Sequence, residues 1–329
     1  MRAAVKILPA LGAAMLGGLL AGCHPRHDQS AVHPASAEAG SIATLWWVMF
    51  AVLGAAFVIV MALTWWSVSR GTKTDSAPGG ETRFVVISGI VVPGVILVGL
   101  LVYSLQTTLS LRRPVEGRVI QITGYQWWWE VRYPDLGIVS ANELYLPAGE
   151  PVWLELRAKD VVHSFWVPNL HGKVDMVPET VNRLWIRADE PGAWRGQCAE
   201  FCGKQHATMA LRVVALAPDD YARWVEERRR PHPTQQNTAL RRGEDVFFRA
   251  SCHVCHSIDG TAADGRLGPD LTHLGSRLTL GAGAVEHTRE TLARWIDDPQ
   301  AVKPGNLMPH TPLAPADRDA LLDFLESLR

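Results

Sequence analysis

Apolar positions along this chain fall into two kinds of run. Ile7 to Ala21, Gly40 to Ser69 and Phe84 to Leu111 are long, apolar and free of charged residues, whereas beyond Leu111 the apolar positions come in short bursts separated by Pro, Gly, Asp and Asn. The second and third long runs each exceed the roughly 20 residues that a helix needs to cross a bilayer. They predict a two-helix transmembrane hairpin over 40–69 and 84–111, joined by a loop over 70–83. Trp46 and Trp47 flank one end of the first span, and Trp65 and Trp66 the other, as interfacial aromatic belts do. The run from Ile7 follows Arg2 and Lys6 and ends in small residues, the layout of a secretory signal over 1–22.

That signal stops at "LLAGC", which resembles the bacterial lipoprotein processing site and predicts cleavage before Cys23 with lipid on its thiol. A polar tether follows over 23–39. Arg70, Lys73 and Arg83 lie in the loop, but Arg112 and Arg113 follow the second span, so the distribution of positive charge leaves the orientation ambiguous. A lipidated Cys23 decides it. Two spans return the chain to its starting side, so the loop is cytoplasmic and everything beyond Leu111 lies outside the bacterial cell (inner) membrane.

From 114 to 218 the short runs "GRVIQITGYQWWWEVRY", "NELYLPAGEPVWLELRA", "NRLWIRA", "GAWRGQC" and "ALRVVAL" predict a β-sandwich. A short helix and a Pro- and Gln-containing connection over 219–238 mark a boundary. The unit over 239–329 has helical pattern around Thr288 to Ile296 and Pro315 to Leu328. It is small enough that a covalent cofactor would supplement its core. A formal net charge of -1 over 329 residues lacks the basic footprint of a nucleic-acid binder.

The chemistry lies in the five cysteines. Apart from Cys23 they form two local pairs, a pattern of metal or cofactor attachment more than of a disulfide framework. "GQCAEFCGKQHATM" gathers Cys198, Cys202, His206 and Met209 between two predicted strands, and "DVVHSFWVPNL" adds His163 ahead of a Pro-bounded turn. Soft donors of this kind suit copper, zinc or iron, and a loop at the end of a rigid sandwich holds a site well. His163, Cys198, Cys202 and His206 could equally supply the closed tetrahedron of a structural zinc, so ligand count alone leaves the metal open. "CHVCH" reads as c-type haem attachment, with Cys252 and Cys255 as thioether donors and His256 as an iron ligand. Met308 in "NLMPH" is the one methionine of that unit. His310, His273 and His287 are its rivals for the opposite axial position.

Together "GYQWWWEVRYPD", "DVVHSFWVPNLHGKVDMVP" and "GQCAEFCGKQHATM", placed after two spans, resemble subunit II of haem-copper cytochrome c oxidases over Ser41 to about Pro218. The resemblance implies a cupredoxin domain with a binuclear CuA centre. In it Cys198 and Cys202 bridge two coppers, His163 and His206 each hold one, and Met209 and the Glu200 carbonyl are weak axial donors. It implies that Trp127 is an exposed aromatic at which an electron enters from cytochrome c. It also implies that Glu200, with Lys173 and Asp175 beside it, lies at a boundary with subunit I that holds a magnesium ion. "NLMPH" and "LGPDL" resemble the axial loop and the loop against the proximal histidine in class I cytochromes c, an all-α fold. The whole resembles the caa-type fusions.

The implied activity is electron input to a proton-pumping terminal oxidase that reduces oxygen to water. Its partners would be subunit I, subunit III, cytochrome c or another donor, and membrane lipid. A CuA-containing nitric oxide reductase subunit is the alternative. Two features depart from the family. Val85 to Val92, the residues before Pro93, lack a glutamate found in many relatives, and only Glu81 is nearby. "VPET" stands where relatives usually have Pro-Gly and a basic residue. His24, His27, His33, His171 and His232 have no partner at ligand spacing and are expected to be solvated.

Overall fold

The computed structural model describes residues 28–70, 80–111, 116–230 and 238–329. The signal, Cys23, most of the 70–83 loop, Arg112, Arg113 and His232 lie outside them. Helix α1 (Ala37–Arg70) starts slightly before the predicted span, with Glu38 in its first turn and Arg70 in its last, complementing the helix dipole. The second hydrophobic element comprises α2 (Gly80–Val86), a π-helical turn (Ile87–Val91) and α3 (Val92–Ser110). Pro93 accounts for that turn, since it has no N–H and its ring crowds the carbonyl four residues back, so the ladder widens. Ala37–Arg70 and Thr82–Ser110 are long and apolar enough to cross a membrane, and neither buries its apolar window within the chain. Apolar surface on all sides is what a lipid or partner-subunit environment stabilises.

Ten strands form the sandwich: β1 (Arg118–Tyr125), β2 (Trp128–Tyr133), β3 (Ile138–Ala141), β4 (Glu143–Pro147), β5 (Val152–Ala158), β6 (His163–Trp166), β7 (Val174–Met176), β8 (Asn182–Ile186), β9 (Gly192–Cys198) and β10 (Ala210–Leu216). One sheet runs β3-β2-β1-β5-β8 and the other β4-β10-β9-β6-β7. Alternation along β1 and β5 puts Ile120, Ile122, Val152, Leu154 and Leu156 wholly inside, as a half-buried strand requires. Across the sheets the Tyr133 hydroxyl accepts the Tyr145 N–H at 2.8 Å. The predicted boundary at 219 moves: α4 (Pro218–Arg228) belongs to the sandwich, because Tyr221 and Trp224 pack into its core and Trp224 stacks on Tyr145 at 4.8 Å.

The tether expected over 23–39 is also corrected for its described part. Residues 28–36 are strapped to the sandwich: Ser30 N–H and His33 carbonyl bond the Asn169 side chain at 3.0 and 2.8 Å. Ala35 N–H donates to the Asn169 carbonyl at 2.7 Å, and Asp189 N–H to the Ala35 carbonyl at 3.0 Å. The strap leads straight into α1 and ties the first span to the sandwich.

The C-terminal unit is built from α5 (Thr238–Arg249), a small hairpin of β11 (Thr279–Leu280) and β12 (Val285–Glu286), α6 (Arg289–Asp297), α7 (Pro299–Val302) and α8 (Pro315–Ser327). α6 and α8 coincide with the predicted helices. Thr288 caps α6 in a reciprocal capping box with Thr291. α5 crosses α8 so closely that a Cβ on Gly243 would lie 2.1 Å from the Ala320 carbonyl oxygen; only glycine permits that approach.

Candidate metal and haem sites

β6 and β9 pair antiparallel, with Phe165 opposite Cys198, and this brings the two distant donor segments to one end of the sandwich. His163 opens β6, just after the turn that follows β5, and it is fully buried. Cys198 closes β9, where its N–H donates to the Met209 carbonyl at 2.9 Å. Ala199 N–H donates to Ser164 carbonyl at 3.0 Å, which closes the loop against β6.

The two sulfurs lie 3.7 Å apart. His163 Nδ1 is 3.8 Å from Cys198 Sγ, and His206 Nδ1 is 3.7 Å from Cys202 Sγ. Met209 Sδ is 3.9 Å from Cys202 Sγ, and the Glu200 carbonyl oxygen 3.2 Å from Cys198 Sγ. All six expected donors therefore converge, with one imidazole facing each sulfur. This donor set exceeds the four that a closed zinc tetrahedron takes, and it fits a pair of soft ions bridged by thiolates.

The electrostatics follow from proximity. Cys198 is pulled well down by hydrogen bonding from Cys202, against burial and with further help from His163. Cys202 is pushed up, chiefly by its hydrogen bond with Cys198, with burial and the repulsion between two negative sulfurs adding to it. A cation held between them removes that repulsion. His163 is raised: burial opposes its protonation, but the Asp160 carboxylate and the Cys198 sulfur outweigh it.

Asp160 was absent from the sequence reading. It lies 2.8 Å from His163 Nε2 and accepts the Gln126 and Val161 N–H groups at 2.7 Å each. Its carboxyl is held below the ordinary range despite burial, because these donors stabilise its charge. Its position three residues before His163 was the available signal. Trp127 departs from the exposed position expected of it: it is half-buried, and its indole N–H donates to the Cys202 carbonyl at 2.9 Å. The reason is local, since Trp127 sits in the turn between β1 and β2, where Gln126 Nε2 also donates to that carbonyl at 2.7 Å.

Lys173 Nζ lies 3.4 Å from Asp175 and 3.6 Å from Glu200 carboxylate oxygens, so the three residues expected at a subunit boundary do meet. His171 does not fit the solvated expectation, for both its ring nitrogens are buried without a hydrogen-bond partner and burial lowers its pKa. His33 does lie at the surface, bonded to Ser30 Oγ at 2.9 Å.

In the C-terminal unit, His256 Nδ1 lies 2.7 Å from the Pro269 carbonyl, which can only accept. The proton is thus on Nδ1, and Nε2 keeps its lone pair for iron. "LGPDL" packs against this ring: a Cβ on Gly268 would lie 2.6 Å from His256 Cε1. Cys252 and Cys255 are free thiols on the turn just before His256. The residues fit a covalently held haem.

Candidates for the opposite position differ in their bonding. His273 Nε2 faces the Arg228 carbonyl at 3.1 Å, and His287 Nδ1 the Arg277 carbonyl at 3.0 Å, so each ring has one nitrogen engaged and, in His287 as in His256, Nε2 keeps its lone pair. Met308 ends a loop pinned from within: its N–H donates to Asn306 Oδ1 at 2.8 Å, and Gln300 Nε2 donates to its carbonyl at 3.2 Å.

Comparison with known proteins places these sites in context. The sequence profile of the cytochrome c oxidase subunit II periplasmic domain matches residues 137–216, and that of cytochrome c matches residues 240–329. Cytochrome c oxidase subunit 2 of Alkalihalophilus pseudofirmus is 43% identical over 64% of this chain, a match spanning 61% of that relative's length. The Bacillus sp. PS3 protein of the same name is 34% identical over 73% of this chain and 72% of its own. That of Bacillus subtilis is 31% identical over 75% of each.

Proposed function

Because the chain belongs to the cytochrome c oxidase subunit II family, we propose that it is the electron-input subunit of a terminal oxidase, taking electrons from cytochrome c or another donor. Haem c and CuA, when bound, supply one-electron carriers leading to the haem-copper subunit I, where oxygen is reduced to water with proton translocation. The single observation that carries this reading is the convergence of six copper-type donors around two sulfurs 3.7 Å apart in a chain that also has a C-x-x-C-H unit.

In this reading His163, Cys198, Cys202, His206, Met209 and the Glu200 carbonyl hold copper. Cys252 and Cys255 bind haem covalently, with His256 and Met308 as axial ligands. Asp160 fixes the imidazole of His163 so that Nδ1 faces the copper. Trp127, bonded to the Cys202 carbonyl, is the aromatic at which an electron enters from the donor side. Glu200, Asp175 and Lys173 face subunit I, where the carboxylates would share a magnesium ion. The sandwich and haem unit lie on the outer face, anchored by two spans and by lipid on Cys23, with subunit III completing the assembly.

The test is purification of the membrane complex through this chain. Co-purification of a haem-copper large subunit with cytochrome c–dependent oxygen consumption is expected. His256→Ala should abolish that consumption while leaving copper content unchanged. Turnover of nitric oxide in place of oxygen would overturn the assignment in favour of the reductase.

A further inference from the structure

Lys303 lies in the haem unit but is only 3% exposed. A lysine is rarely buried so fully unless its ammonium is satisfied. Its Nζ donates to the Gly281 carbonyl of its own unit at 2.8 Å, and to the Trp127 and Thr208 carbonyls of the sandwich at 2.9 and 3.0 Å. Three N–H donors thus meet three acceptors, two of them across the boundary between units. Burial lowers its pKa to about 8, so the three-donor ammonium persists at neutral pH.

The surrounding contacts are equally specific. Ala210 N–H donates to the Ala282 carbonyl at 2.9 Å, and Leu278 N–H donates to Glu143 Oε1 at 2.6 Å, a carboxylate only 2% exposed. Gln205 Nε2 donates to the Pro304 carbonyl. Backbone groups buried in this way require partners, so the contact has the character of a built interface. Its placement relates to both sites: Lys303 precedes Met308 on the same pinned loop, Trp127 bonds the Cys202 carbonyl, and Thr208 adjoins Met209.

We propose that Lys303 is a positioning residue that latches the haem unit onto the Trp127 face of the sandwich, so that the resident occupant of that face is this chain's own cytochrome c unit. A separate donor protein then meets the haem unit and not Trp127. The proposal rests on the electron-input reading for its purpose, but the interface can be measured without electron transfer.

The experiment is amide hydrogen exchange on the full chain in detergent, with haem and copper loaded. In Lys303→Met the Trp127, Thr208 and Gly281 carbonyls lose their donor, and exchange at Leu278 and Ala210 should accelerate at least about tenfold. Amides inside each unit, such as those of Val131 in β2 and Leu322 in α8, should keep the parent rate. Lys303→Ala should behave likewise, and butylammonium should restore protection where butanol does not, because the role requires a charged donor as well as volume. Parent-like exchange at Leu278 and Ala210 in either variant would overturn the latch, as would equal rescue by butanol. Failure of the electron-input reading would instead appear as unaltered oxygen consumption in His256→Ala, which leaves these exchange results unaffected.

Discussion

Asp160 and His163 are joined by a 2.8 Å contact between a carboxylate oxygen and Nε2, and this contact decides which imidazole nitrogen faces Cys198. The carboxylate can only accept, so Nε2 carries the proton and Nδ1 presents its lone pair. Asp160→Ala removes that constraint. Copper affinity should fall by about 10- to 100-fold, measured by competition with a chelator of known affinity, while the haem absorbance stays constant.

Cys198→Ser should abolish the mixed-valence copper signal in electron paramagnetic resonance and leave the covalent haem spectrum intact. The donors of each site come from separate units, and one sulfur cannot bridge two ions in the way two do. A retained binuclear signal would remove Cys198 from the ligand set.

Met308→Ala should eliminate the weak long-wavelength thioether-to-iron band and lower the haem potential, since a methionine ligand favours the ferrous state. Retention of both properties would point instead to His273, His287 or His310 as the opposite ligand. Redox titration with optical detection reads both effects.

Glu179 occupies the left-handed region, with φ of 64°, in a turn where Thr180 N–H donates to the Val177 carbonyl. This explains why a glycine is at home in the relatives' Pro-Gly at that place. Glu179→Gly should stabilise the sandwich by about 0.5–1 kcal/mol, the relief of backbone strain less the added entropy of unfolded glycine. Denaturant unfolding of the sandwich, followed by tryptophan fluorescence, gives the value.

Glu155 accepts from Arg183 at 2.7 Å and from Arg157 and Gln121 at 3.2 Å each. The Arg183 hydrogen bond is the main cause that holds its carboxyl below the ordinary 4.5. The folded state therefore binds this proton less readily than the unfolded one, and the stabilisation is present above pH 4.5 and lost as pH falls through the folded value. Glu155→Gln should cost about 1 kcal/mol at pH 7, with the gap to the parent closing below pH 4.5 in acid unfolding curves.

Sequence alone determined what depends on residue type and short spacing. Uncharged apolar runs mark the two spans because a bilayer core admits little else. Cys198, Cys202, His206 and Met209 announce a metal because their donors lie within one loop, and C-x-x-C-H announces a haem for the same reason. The distant His163 was legible as a donor candidate ahead of a Pro-bounded turn, but its place beside the cysteines 35 residues away came only through resemblance to a family, since no local pattern links them.

Tertiary structure alone decided the rest. Pairing of β6 with β9 brings His163 to Cys198, and packing of Tyr221 and Trp224 draws α4 into the sandwich. Half-burial turns Trp127 from an expected surface aromatic into a donor to the Cys202 carbonyl. Lys303 meets Trp127 across 176 residues of chain. A lysine in sequence reads as a solvated charge, and only folding supplies the three carbonyls that make its burial stable.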